Sequence, residues 1–332
     1  MSAEKTIKLS WQTDRCLLVF AICCQLLPLI CHPQAASNAG ARQSLDDAWW
    51  TGPILAASGA TLSRGHFLFE PYFYDVIGSQ SNSLGSSSYL LYGLTDRFTV
   101  GSIPVVGYNK LKNGPNSSGI GTGDVTLLAQ HRLTQFHEGS WIPTSAVVIE
   151  ETFPTGRYDR LGDRPGNGLG AGAYTTTLGF YPQTYSWLPN GRILRMRFDI
   201  TQAFSTSVKV NGVSVYGTGV GFSGTARPGS SLLADPACEY SLTRKWVLAL
   251  DAAYRHNWNT RVTGYDAAAD NGGKNPSSIL MNSGSSEVFA FAPAVEYNWK
   301  SNLGIILGAR VIPASHNANA TVTPVVAVNF VH

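Results

Sequence analysis

The sequence predicts an all-β fold: a transmembrane, antiparallel, up-and-down β-barrel of about twelve strands. Three observations carry that expectation. Segments of nine to fifteen residues alternate apolar and polar, aromatic residues sit at the ends of the apolar faces, and the connections alternate short and long. Composition agrees. The 332 residues include 34 glycines and 11% aromatics but only 14% charged residues, which suits strands and turns. A mean hydropathy of −0.02 is too low for a bundle of membrane helices. It is no obstacle to a barrel, where only every second strand residue faces lipid. The net charge of +3 is small and scattered, which argues against a nucleic-acid partner.

Residues 1–36 read as a secretory signal. Lys5, Lys8 and Arg15 precede an apolar run from Cys16 to Ile30, broken by Gln25 and Pro28, and Gln34-Ala35-Ala36 offers a cleavage site. The run is short for a spanning helix, which needs about 20 apolar residues. No other stretch approaches one, so membrane insertion requires a closed barrel. Four of the five cysteines lie in the first 31 residues. Cys238, alone in the remainder, cannot form an internal disulfide or a Cys-rich metal site, and reads as a small wall residue. Residues 37–64 are expected as a periplasmic segment or a partial plug. Trp49 and Trp50 fit either an interfacial anchor below the barrel or a stretch folded up into its lumen.

The barrel is expected over 65–332, with strands near 66–76, 86–95, 97–108, 120–134, 142–154, 169–182, 192–205, 229–242, 246–259, 286–299, 302–312 and 321–331. In 246–258, Trp246, Leu248, Leu250, Ala252, Tyr254 and Trp258 share one face, with His256 the exception. Val247, Ala249, Asp251, Ala253, Arg255 and Asn257 share the other. Thirteen residues at about 3.3 Å, tilted about 40°, rise roughly 30 Å, enough to cross the apolar band. The split recurs at 287–299, and at 192–204 Leu194, Met196, Phe198, Ile200 and Phe204 oppose Arg195, Arg197, Asp199 and Thr201. Short connections are expected at Thr95-Asp96, 135–141, 188–191, 243–245 and Lys300-Ser301, and long ones at 77–85, 109–119, 155–168, 206–228, 260–285 and 313–320. That alternation is the pattern of short periplasmic turns and long external loops, with both termini periplasmic. Phe330 stands near the end of the last strand, although the sequence closes on His332.

The inward faces are expected to carry Glu70, Asp124, Glu150, Asp199, Asp251 and Glu296 against Arg132, Arg195, Arg197, Arg255 and Arg310. Such charges pair across strands, because an unpaired buried charge is costly. They either brace the wall or form a constriction that selects solutes by charge and size. Six carboxylates against five arginines is nearly balanced and argues against strong ion selectivity. Gly119, Gly121 and Gly123 lack the strand–helix setting of a dinucleotide site, so they read as places where the wall bends or a bulky neighbour packs. Asp159 and Asp163 do not have the spacing of a known calcium loop. His131 and His256 could face lipid, as in an outer-membrane hydrolase, but no G-x-S-x-G elbow accompanies them.

Several segments resemble an outer-membrane family named for the phenol-degradation meta-pathway and treated as transporter-like. The resemblance rests on Trp49-Trp50-Thr51-Gly52-Pro53, Gly65-His66 and Glu70-Pro71-Tyr72. Gly121-Thr122-Gly123-Asp124, His131-Arg132-Leu133 and Phe153-Pro154-Thr155-Gly156-Arg157-Tyr158-Asp159 follow, then Ala292-Pro293-Ala294-Val295-Glu296-Tyr297 and Pro324. Each motif is short; their order over 45–332 carries the likeness. The resemblance implies a bacterial outer-membrane barrel that passes small hydrophobic or aromatic compounds by passive diffusion. It supplies no catalytic residue. The expectation is therefore a non-enzymatic monomer without cofactor or metal, in contact with outer-membrane lipid and, during biogenesis, with the barrel assembly machinery. A closed structural or ligand-binding barrel and an outer-membrane lipid hydrolase are the alternatives.

Overall fold

The computed structural model describes residues 42–267 and 277–332. The expected signal, 1–36, lies outside the described residues. Ser44–Ser186 with Ile193–His332 forms one compact unit, which carries the barrel. In the other unit the Trp187 indole donates to the Gln43 carbonyl at 2.8 Å, and the Arg42 guanidinium lies 4.0 Å from the Trp187 ring centroid.

The strands are β1 (Phe67–Gly78), β2 (Ser81–Thr95), β3 (Phe98–Ile103), β4 (Val105–Leu111), β5 (Gly121–Thr122), β6 (Val125–Thr134), β7 (Thr144–Phe153), β8 (Thr175–Trp187) and β9 (Ile193–Ser205). There follow β10 (Val208–Asn211), β11 (Phe222–Arg227), β12 (Ser231–Ser241), β13 (Trp246–Asn257), β14 (Arg261–Asp266), β15 (Ser277–Asn282), β16 (Ser286–Lys300), β17 (Leu303–Ile312) and β18 (Thr321–Val331). Pro104 divides one stave into β3 and β4, and Gly123-Asp124 divides another into β5 and β6. The 14-stranded sheet is thus a closed, antiparallel barrel of twelve staves, shut by β1 pairing with both β18 and β2.

The alternation in the sequence becomes the two faces of the wall. In β13, Val247, Ala249, Asp251 and Ala253 are buried, while Trp246, Leu248 and Leu250 are exposed. In β16, Ala290, Ala292, Ala294 and Glu296 point in, and Phe289, Phe291, Val295 and Trp299 point out. Outward rings gather at both ends of these two strands. Trp246 and Tyr297 lie 4.7 Å apart at the end with short turns, and Tyr254 and Phe289 lie 5.0 Å apart towards the end with long loops.

Three expectations about connections need correction. The long loop expected at 77–85 is a two-residue turn, Ser79-Gln80, because β1 and β2 pair from Ile77↔Asn82 downward. The Ser- and Gly-rich composition of 81–88 reads as a loop, yet those small residues form a ladder with β1 on one side and β4 on the other. The strand expected at 169–182 begins at Thr175, and Gly168 to Gly172 belong to the preceding loop. The described parts of the expected loops 206–228 and 260–285 form a second sheet, ordered β10-β11-β14-β15, over a small core that includes Val208, Val210, Phe222 and Val262. Here the Gly121 and Gly123 expectation is met. A Cβ at Gly121 would stand 2.7 Å from the Leu169 side chain, and one at Gly123 would stand 3.0 Å from Val105.

Candidate functional site: the lumen and a recess in the wall

The chain before β1 enters the barrel and returns at the end with the short turns. It starts beside the turn between β12 and β13, where Trp49 N donates to the Arg244 carbonyl at 3.1 Å. It ends beside the turn between β2 and β3, where Thr61 Oγ1 donates to the Asp96 carbonyl at 2.7 Å and Leu62 N to Thr99 Oγ1 at 2.9 Å. Between these ends its backbone is held by inward side chains. Thr51 N donates to Glu296 at 2.6 Å. Ile54 N, Leu55 N and Ala56 N converge on the carboxylate of Asp251 at 3.0, 3.3 and 2.9 Å. Ala57 N donates to Asp199 at 2.6 Å, and Arg197 Nη1 donates back to the Ala56 carbonyl at 2.8 Å. Gln130 Nε2 reaches the Ser58 carbonyl at 2.7 Å.

This arrangement answers a physical need. A non-regular segment away from bulk water must find partners for its backbone, and charged acceptors give the stronger bonds. Room for it comes from small inward residues. Ile54 packs in a cluster with Ala249, Ala292, Ala294 and Ala327. Gly59 passes so close to the wall that a Cβ there would stand 2.3 Å from the Tyr181 carbonyl oxygen. Trp50 lies 6.5 Å from Tyr185 and under the Arg195 guanidinium at 4.6 Å, while Trp49 has Arg244 at 4.6 Å.

Ten of the eleven residues expected inward share strand parity with the buried wall positions, Asp124 lies in the break between β5 and β6, and the eleven do different things. Asp199, Asp251, Glu296 and Arg197 hold the inner segment, as above. Glu70 is buried and accepts from Asn329 Nδ2 at 3.0 Å. Asp124 ties down the loop after β7, accepting from Gly156 N at 2.9 Å and Ala171 N at 2.7 Å. Arg195 pairs with Glu239, and Arg197 Nε lies 3.1 Å from the same carboxylate. Arg132, Glu150, Arg255 and Arg310 join no salt bridge among the described residues.

Two inward carboxylates are missing from the expected set. Glu239 is fully buried between the two arginines, and Asp235, 1% exposed, stands directly across from Asp199. They add two buried carboxylates to the expected set. Both occupy alternate positions in the strand expected at 229–242, opposite the Cys238 face, so the same parity argument finds them. Asp159, weighed for calcium, accepts from Asn211 N at 3.0 Å. His131 faces outward beside Phe98, 6.2 Å between centroids, and His256 lies 4.6 Å from Trp258. Above the barrel, Tyr216 donates to the Ala171 carbonyl, and burial, with the Asp124 carboxylate and Tyr158 nearby, pushes its hydroxyl up to about 12.

Two cavities lie against the seam that closes the barrel. One, about 390 Å³, lies in the lumen against Ile54 and Leu55, with Tyr72, Tyr89 and Arg310 in its wall. The other, about 700 Å³, is an apolar recess that includes the outward Phe73, Leu84, Val106, Leu307 and Val326. Tyr74 and Val325 line both. The seam's ladder is interrupted at this height. The ladder between β1 and β18 runs Tyr74↔Val325 and resumes at Ile77↔Val322, skipping the level of Pro324. Proline has no N–H to donate and interrupts a ladder in this way. On the other side of β1, the Tyr74 ring lies over Gly85, where a Cβ would stand 2.6 Å from it.

No family profile matches the chain, and no curated protein matches its sequence. Among solved structures, the COG4313 outer membrane channel from Pseudomonas putida F1 is similar at a TM-score of 0.61 and 14% identity, over 84% of this chain and 100% of that one. The translocator domain of the autotransporter NalP from Neisseria meningitidis gives a TM-score of 0.42 and 11% identity, over 81% of this chain and 89% of that one. The CymD monoaromatic hydrocarbon channel gives 0.33 and 9%, over 81% and 88%. At these identities the likeness concerns the fold.

Proposed function

We propose that this chain is an outer-membrane channel through which small hydrophobic molecules pass without an energy source, entering or leaving through the wall beside Tyr74. The observation that carries this reading is the sharing of Tyr74 and Val325 by the lumen cavity and the apolar wall recess. The inner segment occupies part of the lumen, and the recess beside it is mostly apolar, with Asp75 at its edge. A hydrophobic solute moving between recess and lipid keeps its apolar surface out of water. The exposed apolar wall with aromatic ends fits an outer membrane, and the short turns fit its periplasmic side. The similarity to a solved outer membrane channel supports the same placement at the level of the fold.

Photolabelling tests the route. A small apolar diazirine is applied to the purified barrel and its adducts are mapped. Adducts are expected at Tyr74, Leu307 and Val326, reduced by competing toluene. Labelling spread evenly over the lipid-facing wall, as at Leu248 and Leu250, with no competition, counts against it. A ligand-binding barrel without passage is the second reading, favoured by the many bonds that hold the inner segment. Labelling in the lumen cavity without labelling in the recess would support it.

A further inference from the structure

The lumen cavity contains a pair of hydrogen-bond donors that the protein leaves without acceptors. Arg310 on β17 stands directly opposite Thr323 on β18, and both line the cavity. Arg310 Nε and Thr323 Oγ1 are buried and have no hydrogen-bond partner. Arg310 forms no ion pair among the described residues, and no carboxylate is among the residues that line this space. The contrast is with Arg195, which the wall supplies with Glu239.

A buried donor without an acceptor costs free energy, and an unpaired arginine more than most. Two residues that line one cavity and each keep a donor without an acceptor are suited to an acceptor from outside. Guanidinium N–H groups match carboxylate oxygens, and a neighbouring hydroxyl adds a second donor. Ser87 is the remaining aliphatic-hydroxyl side chain of the lining, and the other residues are aliphatic or tyrosine. Tyr72 and Tyr89 meet edge to face at 5.8 Å, Tyr74 stands at the seam, and Ile54 and Leu55 supply aliphatic surface. A volume of about 390 Å³ lies towards the small end of the range for small-molecule sites and suits one ring.

We infer that this cavity binds a small aromatic monocarboxylate, with its carboxylate on Arg310 and Thr323 and its ring among Tyr72, Tyr74 and Tyr89. The inference names a solute class for the proposed channel. It rests on that reading for the route by which the ligand arrives, through the seam at Tyr74.

The test is calorimetric titration of the purified full-length chain in detergent with benzoate, benzamide and toluene. Benzoate is expected to bind about 10-fold or more tightly than its uncharged analogue benzamide, the size of losing one charge-assisted hydrogen bond. Arg310→Gln should abolish that preference and leave toluene binding as it was. Thr323→Val removes one hydroxyl at nearly constant volume and should reduce the preference several-fold, which keeps the test sound if the arginine variant fails to fold. Equal binding of benzoate and benzamide, or a preference that survives both substitutions, overturns the inference. If toluene still binds in that case, the channel reading stands. If no ligand binds, the inference falls, and entry of an apolar probe into cells decides the channel reading separately.

Discussion

Asp251→Ala should release the inner segment from the barrel. Asp251 is fully buried, and its two oxygens accept three consecutive backbone N–H groups, from Ile54, Leu55 and Ala56, at 3.0, 3.3 and 2.9 Å. Removing the carboxylate strands all three donors. A buried donor left unpaired costs about 1–3 kcal/mol. Water can enter from the cavity that Ile54 and Leu55 line, and the desolvation cost of the carboxylate disappears with it. Both effects favour the low end, about 3 kcal/mol in all, or roughly 100-fold in the balance between docked and undocked segment. Hydrogen exchange of the peptide spanning 51–62 should accelerate by about that factor, since local opening sets amide protection. In planar bilayers the variant should show larger or more frequent conducting steps than the parent chain. Asp235→Asn is the control: both Asp235 oxygens lack partners, no bond to the segment is lost, and exchange over 51–62 should not change. A folded Asp251→Ala barrel with parental exchange and parental conductance would refute the reasoning.

Glu239→Ala leaves Arg195 and Arg197 buried beside an empty position. Breaking a buried pair from one side costs about 3–5 kcal/mol, so the temperature at which the barrel loses its heat-modifiable mobility in detergent gels should fall clearly, and an unchanged temperature would deny the pair a structural role. Gly59→Ala places a methyl 2.3 Å from the Tyr181 carbonyl oxygen. The segment must shift, and exchange over 51–62 should rise as it does for Asp251→Ala. Tyr74→Ala removes the ring shared by the lumen cavity and the recess. Larger apolar probes should then enter cells several-fold faster, whereas an unchanged rate would move the route away from this seam.

The wall was the legible part of this protein. Strands such as Trp246–Asn257 and Ser286–Lys300 carry a period of two through their middles, over Trp246–Ala253 and Phe289–Asn298, with rings at the outward ends. Serine-rich Ser81–Ser88 has no such pattern. It is a strand because its neighbours on both sides supply ladders, and composition does not reveal a partner. The same holds for β11 and β14, which pair across two expected loops. The inner segment was harder still. Asp251 meets Ile54, Leu55 and Ala56 across 195–197 residues of sequence, and it binds their backbone N–H groups, which every residue but proline possesses. The hints are Trp49 and Trp50, which allow a stretch folded into the lumen, and the inward alanines at 290, 292 and 294, too small to fill a lumen themselves. Glu239 and Asp235 follow from parity within one strand, but their different fates do not. Glu239 has two arginines and Asp235 has no hydrogen-bond partner, a difference set by which neighbours stand beside them in the closed barrel.

The proposed passage is tested most directly by the entry of an apolar fluorescent probe, N-phenyl-1-naphthylamine, into lipopolysaccharide-covered cells. Three strains are compared: one producing the parent chain, one producing Leu307→Arg, and one producing neither. Leu307 faces outward into the recess and is 65% exposed, so an arginine there sets a charge in the route without touching the lumen. Entry should be faster with the parent chain than without it, and should return close to the background rate with Leu307→Arg at equal amounts of folded barrel. Equal rates in all three strains would contradict the account.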